Sequence, residues 1–172
     1  VVKKVAVFGN TGGGKSTLSK RLSQITGLPL YPLDKIKYQS GGAEVPQEEY
    51  KRTHQQILAT DRWIIDGFGY METLWLRLEE ADTLIFIDLP LYVHFLWVTK
   101  RLITGYLRPP EGWPENSPIL KGSLNSYRVL WLCHKGLTPR YREYLKQAKN
   151  TKSIYHLCSS EQIWQFFKSI EN

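Results

Sequence analysis

Cysteine is scarce in this chain, with 2 in 172 residues. Cys133 and Cys158 stand far apart with no C-x-x-C partner, so a disulfide framework and a zinc ribbon are both excluded. The expectation is that both are reduced thiols of the core. The 4 histidines show no metal-ligand spacing. No apolar run is long enough to cross a bilayer. The greasiest stretch, "LIFIDLPLYVHFLWV" from 84 to 98, is interrupted by Asp88, Pro90 and His94 and reads as a strand, a break and a helix. No secretory leader is read at the N-terminus, and the expectation is a cytoplasmic protein with no membrane partner. The guanine signature N-K-x-D is missing, as is a D-x-x-G following a strand, which argues against a GTPase switch. No nucleic-acid-binding motif and no internal repeat is present, and no linker divides the chain.

What is present starts with enough material for one core. Hydrophobic residues make up 42% of the chain, and 6 Trp, 10 Tyr and 6 Phe argue against disorder. At this length the chain is most simply one domain. The net charge of +7 is unevenly placed: residues 1–99 carry 11 Lys/Arg against 11 Asp/Glu, and residues 100–172 carry 12 against 5. A basic C-terminal part suits an anionic partner.

One stretch carries the chemistry. Gly9-Asn10-Thr11-Gly12-Gly13-Gly14-Lys15-Ser16 fits the phosphate-binding pattern G-x-x-x-x-G-K-[ST], between the apolar strand "VKKVAVFG" and a helix with Leu18, Leu22 and Ile25 on one face. Its glycines let the backbone curl with N–H groups inward, and the helix adds its positive end. Gly9, Thr11, Gly12, Gly13, Gly14, Lys15, Ser16 and Thr17 are therefore the candidate nucleotide-binding residues. Lys15 would reach the β- and γ-phosphates, and the Ser16 hydroxyl would ligate Mg²⁺.

Further strands are read at 28–34, 62–66, 83–88 and 152–157, separated by helical patterns, and this alternation implies a parallel sheet covered on both faces. Ligands in such sheets gather at the carboxyl ends of the strands, where Gly9, Asp34, Asp66 and Asp88 fall. Asp66 is the candidate metal acid beside Ser16, with Asp88 left as structural. Asp34 is placed to orient or deprotonate an acceptor hydroxyl, or else to cap a helix. Arg101 and Arg108 flank the turn into "GYLRPPEGWPENSP" (105–118), a stretch of the length that marks a functional loop or lid, and either could close over a transferring phosphoryl. Arg140 and Arg142 are weaker candidates for the same task. Lys15, Asp34, Arg101 and Arg108 form the candidate catalytic set.

The segments "VFGNTGGGKSTLSKRL", "YPLDKI", "WIIDGFGYMETLWLRLEEADTLIFIDLP" and "LRPPEGWPE" resemble the adenylate-kinase-related P-loop proteins called FlaR-like or DNA topology modulation proteins. The resemblance implies an α/β three-layer sandwich of the nucleoside-monophosphate-kinase kind, with a five-stranded parallel sheet in order 2-3-1-4-5 and a lid-like insertion at about 100–135. Adenylate kinases follow the third strand with Asp-Gly-Phe-Pro-Arg. Here the run is Asp66-Gly67-Phe68-Gly69-Tyr70, so the arginine that would hold AMP is missing. Arg77 matches a position typical of the FlaR-like group, as a substitute anion ligand or as a helix-surface ion pair with Glu80. Asp34, Phe68 and Arg77 are the candidate acceptor contacts. The expected activity is transfer of the γ-phosphoryl of ATP, with Mg²⁺, to a small acceptor that the sequence does not name, by a monomer or homodimer. The alternative is a nucleotide-regulated, nucleic-acid-binding ATPase, which the basic C-terminal part would permit.

Overall fold

The structure, a computed structural model, describes residues 2–105 and 119–171, with side chains described outside 105–124. Arg108 and most of the expected 105–118 excursion lie outside the described residues. Five strands, β1 (Lys4–Gly9), β2 (Leu30–Pro32), β3 (Trp63–Asp66), β4 (Thr83–Ile87) and β5 (Ser153–Leu157), pair in parallel in the order β2-β3-β1-β4-β5. This is the fold class and strand order expected. The three central strands lack the alternation of a half-exposed strand. Every residue of β3 and β4 is buried, as are Val5, Ala6, Val7 and Phe8 of β1. Both faces are covered, so both need apolar side chains. β5, at the edge, is only partly buried.

Among the described residues eight α-helices flank the sheet: α1 (Lys15–Thr26), α2 (Leu33–Lys37), α3 (Gln47–Leu58), α4 (Met71–Glu80), α5 (Leu91–Gly105), α6 (Ile119–Leu132), α7 (Thr138–Ala148) and α8 (Ser160–Glu171). On one face, Phe8, Ile65, Leu84 and Phe86 pack against α3, α4 and α7 through Tyr50, Leu74, Leu78 and Tyr141. On the other, Val5, Val7, Ile64 and Ile85 meet α1 and α8 through Leu18, Leu22, Phe166 and Phe167. Between α6 and α7 the chain runs through a π-helical turn, Cys133–Leu137, in which the Thr138 N–H bonds the Cys133 carbonyl. The sequence carries no periodic signal for that turn. None of the described helices is long and apolar enough to cross a membrane.

The two cysteines differ from expectation. Both are free, but Cys158 is exposed just past β5 and Cys133 is half-buried, so neither is a fully buried core thiol.

Helix α3 buries Tyr50, His54 and Ile57, spaced at i, i+4 and i+7. His54 is fully buried and stacks on Tyr50 at 5.9 Å, and neither ring nitrogen has a partner among the described residues. Burial, and secondarily the charge of Arg77, push its imidazole down to about 4. The folded state therefore resists protonation that the unfolded state accepts. Stability is lost as pH falls from about 6.5 towards 4, by on the order of 3 kcal/mol. His54→Phe should abolish this contribution. Chemical denaturation of both proteins from pH 7 down to pH 4 should show the gap moving steadily in the variant's favour, and a gap independent of pH would refute the assignment.

Candidate active site

The phosphate loop runs from the end of β1 to the start of α1. Gly12 and Gly14 have φ of +68° and +76°, the left-handed region that favours glycine. Space is as demanding as conformation here. A Cβ on Gly12 would lie 2.6 Å from Val98 Cγ2 and 2.9 Å from the His94 carbonyl oxygen, and one on Gly14 would lie 2.9 Å from the Trp97 ring. Helix α5 thus lies directly on the loop, and only bare backbone fits beneath it. The Nδ1 of buried His94 is 2.8 Å from the Thr11 carbonyl oxygen. Helix α1 has no acidic residue in its first turn and no side-chain cap. Its N-terminal dipole is left for an outside anion.

Lys15, half-buried, donates from Nζ to the Asn10 carbonyl at 2.7 Å. Burial lowers its ammonium, against the upward pull of Asp66 and then Asp34. Asp66 ends β3 beside Val7 of β1 and is only 3% exposed. Burial pushes its carboxyl up to about 6, although Lys15 and a hydrogen bond from the Ser16 hydroxyl work the other way. Its Oδ1 has no hydrogen-bond partner among the described residues. An orphaned carboxylate oxygen beside a serine hydroxyl is a hard-oxygen donor set, and it fits Mg²⁺.

Asp34 lies in the first turn of α2, just past the end of β2, and its side chain is exposed. Protein crowded around it raises its carboxyl, while Lys15, Lys37, Arg101 and Arg77 pull it down. The two acids and Lys15 therefore share one electrostatic environment. Arg101, from α5, donates from Nη2 to the Ser126 hydroxyl of α6 at 2.8 Å. It lines a cleft of about 390 Å³ with Gly14, Thr17, Trp97, Ile163 and Phe167, beside the start of α1.

Phe68 is half-buried on the turn after β3. Arg77 is fully buried. Its Nη2 donates to the Gly67 carbonyl at 2.7 Å and to the Phe68 carbonyl at 2.9 Å, while Nε and Nη1 have no partner among the described residues. The expected surface pair with Glu80 is not formed. Glu80 reaches Lys4 instead.

Asp88 builds a separate corner. Arg142 of α7 donates to it twice, at 2.7 and 2.9 Å, and His156 Nε2 lies 2.8 Å from the same carboxylate. Burial would raise this carboxyl, but Arg142 and His156 together hold it below its ordinary value. With Cys158 the corner brings three ligand-type atoms within 4.8 Å, a convergence that sequence spacing did not reveal. Its acid is already neutralised by Arg142, and that arginine is tied to Asp88. Asn10, His94, Trp97 and Ser126 also escaped the sequence reading. Asn10 occupies a variable position of the motif, and the other three reach the site only through tertiary packing.

The raised Asp66 carboxyl makes a second stability prediction. The folded state holds this proton above the unfolded value, so stability is full below about pH 4 and is lost as pH rises through about 6, by on the order of 3 kcal/mol. Asp66→Asn should be more stable than the parent at pH 8 in metal-free buffer, with the difference closing near pH 4. Thermal melts across that range would show it, and a variant less stable at pH 8 would contradict it.

No model of a known protein family matches the sequence. A shikimate kinase from Leptospira borgpetersenii serovar Hardjo-bovis (strain JB197) is 44% identical over 175 residues, covering 91% of this chain and 94% of the relative. Among solved structures, an unliganded sugar kinase from Janibacter sp. HTCC2649 is similar at 16% identity and a TM-score of 0.49, covering 98% of this chain and 94% of that one. A phosphate loop on a five-stranded parallel sheet, together with identity of this order along nearly the whole of a kinase, means that the chain belongs to the same family of P-loop kinases as the Leptospira protein.

Proposed function

We propose that the chain transfers the γ-phosphoryl of ATP to a hydroxyl of a small acceptor. One observation carries this reading: Lys15, the Ser16–Asp66 pair and Asp34 meet at the carboxyl ends of neighbouring strands. The phosphates would lie on the loop amides and the N-terminus of α1, with Gly9, Thr11, Gly12, Gly13, Gly14 and Thr17 shaping the cradle. The base would enter the cleft beside Trp97 and Phe167. Ser16 and Asp66 are the residues that would hold Mg²⁺, which when bound draws charge from the β- and γ-phosphate oxygens.

Asp34 sits where an acceptor hydroxyl would approach. It would accept the hydroxyl proton as the oxygen bonds to the γ-phosphorus and the bond to the β–γ bridging oxygen breaks, leaving ADP. Lys15 and Arg101 would stabilise charge on the transferring group. Phe68 would form one wall of the acceptor site. Arg77, buried behind the Gly67–Phe68 turn, would act on the acceptor by shaping that turn and by its field. The relative's name makes shikimate the first acceptor to test, and the FlaR-like resemblance keeps nucleoside monophosphates in the panel. The nucleic-acid alternative is weaker, because the relative that matches along nearly the whole chain is named a kinase.

An assay of ADP release over a panel of shikimate, sugars, nucleosides and nucleoside monophosphates tests the reading. An acceptor should raise ADP release well above the rate with water alone. Lys15→Ala should lower the stimulated rate by about 10²-fold or more with the fold intact. Arg101→Ala should lower turnover more than it weakens ATP binding, because charge shifts to the transferring group in the transition state. Parent-like turnover in Lys15→Ala would overturn the proposal.

A further inference from the structure

Asn10 is the point at which three connections of the phosphate loop meet. Its carbonyl accepts the Lys15 ammonium at 2.7 Å. Its Oδ1 accepts the Thr11 N–H at 2.8 Å, which stiffens the loop. Its Nδ2 donates to the Leu130 carbonyl of α6 at 2.9 Å, a bond across 120 residues of chain. Asn10 is 5% exposed and Leu130 is fully buried, so water cannot readily replace this amide. The same helix carries Ser126, four residues before Leu130 and so about one turn away on the same face. Ser126 holds Arg101. Helices α5 and α6 are also joined by a Phe95–Tyr127 ring stack at 5.8 Å and by Thr99 and Tyr127, whose hydroxyls are 2.6 Å apart.

We propose that Asn10 is a positioning residue that couples phosphate on the loop to the placement of Arg101, through Leu130 and Ser126 of α6. The proposal rests on the nucleotide-binding reading above. The Lys15 ammonium is held by a neutral carbonyl. An incoming phosphate is a stronger, charged acceptor and draws the ammonium away. The residue that loses this partner is the one clamped to α6, so the loop and the helix cannot relax independently. The coupling is reciprocal: whatever fixes α6 also biases the loop towards one state. Asn10 touches no reacting atom, and its effect passes through Arg101.

Amide hydrogen exchange of the full chain, with and without ADP and Mg²⁺, tests this in the parent, Asn10→Ala and Asn10→Asp. The aspartate keeps an acceptor for the Thr11 N–H but has no N–H for Leu130, so it serves if the alanine variant fails to fold. In the parent, ADP should change the protection of amides in 125–132 by about tenfold, a usual size for coupling between sites. Both variants should still bind ADP, and that response should vanish. In turnover, Asn10→Ala should lower kcat more than it raises KM, and combining it with Arg101→Ala should cost no more than the worse single change, since the two act as one unit. A parent that does not bind ADP overturns this inference together with the nucleotide reading. A parent that binds ADP with α6 unchanged, a variant whose α6 responds as the parent's does, or additive effects on kcat overturns the inference alone.

Discussion

A carboxylate held where water barely reaches it is the constraint around which this molecule is arranged. Asp66 sits at the end of a fully buried strand with one oxygen unpartnered among the described residues. Such a group costs stability unless a cation balances it. Lys15 supplies part of that balance and Ser16 a hydrogen bond. Lys15 is itself unfavourably buried and needs the acids in turn. The three are mutually necessary, yet together they leave one carboxylate oxygen without a partner among the described residues. That residual demand is what a divalent cation would satisfy, and a site that was already content would have no reason to bind one.

The second constraint is steric. A phosphate loop works through backbone amides, so nothing may stand between the backbone and its ligand. Here the flank facing α5 is equally bare, because that helix packs directly on the loop. His94, Trp97 and Val98 fill the space that side chains at 12, 13 and 14 would need. The glycines therefore serve two purposes. They admit the conformation on one side and the supporting helix on the other. The support fixes the loop through His94 on Thr11 and carries Arg101 on the same helix, so the loop and its arginine share one rigid backing.

Much of this was legible in the sequence, and the reason is physical. β1, β3 and β4 are buried on both faces, so they read as continuous apolar runs, and Asp66 and Asp88 at the ends of β3 and β4 stand out. Phosphate-loop geometry needs glycine at fixed offsets, and that survives as a pattern. The misses share a different origin. His94 read only as an interruption in an apolar helix, because its partner is 83 residues away. Asn10 occupied a position that the motif leaves variable. Arg77 read as an anion ligand or as a helix-surface ion pair, since charged side chains are rarely fully buried and nothing local shows that two backbone carbonyls await it. Cys158 read as core because free cysteine usually is. The π-helical turn at 133–137 has no local signal at all, since its register is set by what α6 and α7 pack against.

Arg77 is the residue in which these strands of argument join. The turn it holds is itself confined: Gly67 and Gly69 have φ of +110° and +66°, and a Cβ on Gly69 would come within 2.0 Å of the Tyr50 hydroxyl. Two carbonyls pinned by one guanidinium make a wall of fixed shape directly after Asp66. Among the described residues no carboxylate lies at hydrogen-bond distance from this charge, and its field extends to Asp66 and Asp34, both of which it pulls towards the ionised form. In a water-exposed position that field would be weakened by the high dielectric constant of water and screened over about 8 Å at physiological salt. Burial lets one arginine fix the Gly67–Phe68 turn, the proposed acceptor wall, and favour the charged state of both acids without touching either. An adenylate kinase's Pro-Arg places its cation in the substrate's reach. This chain keeps a cation on the neighbouring helix but turns it inward, so selectivity at this site is expected to come from the shape of the turn and not from a direct charge contact.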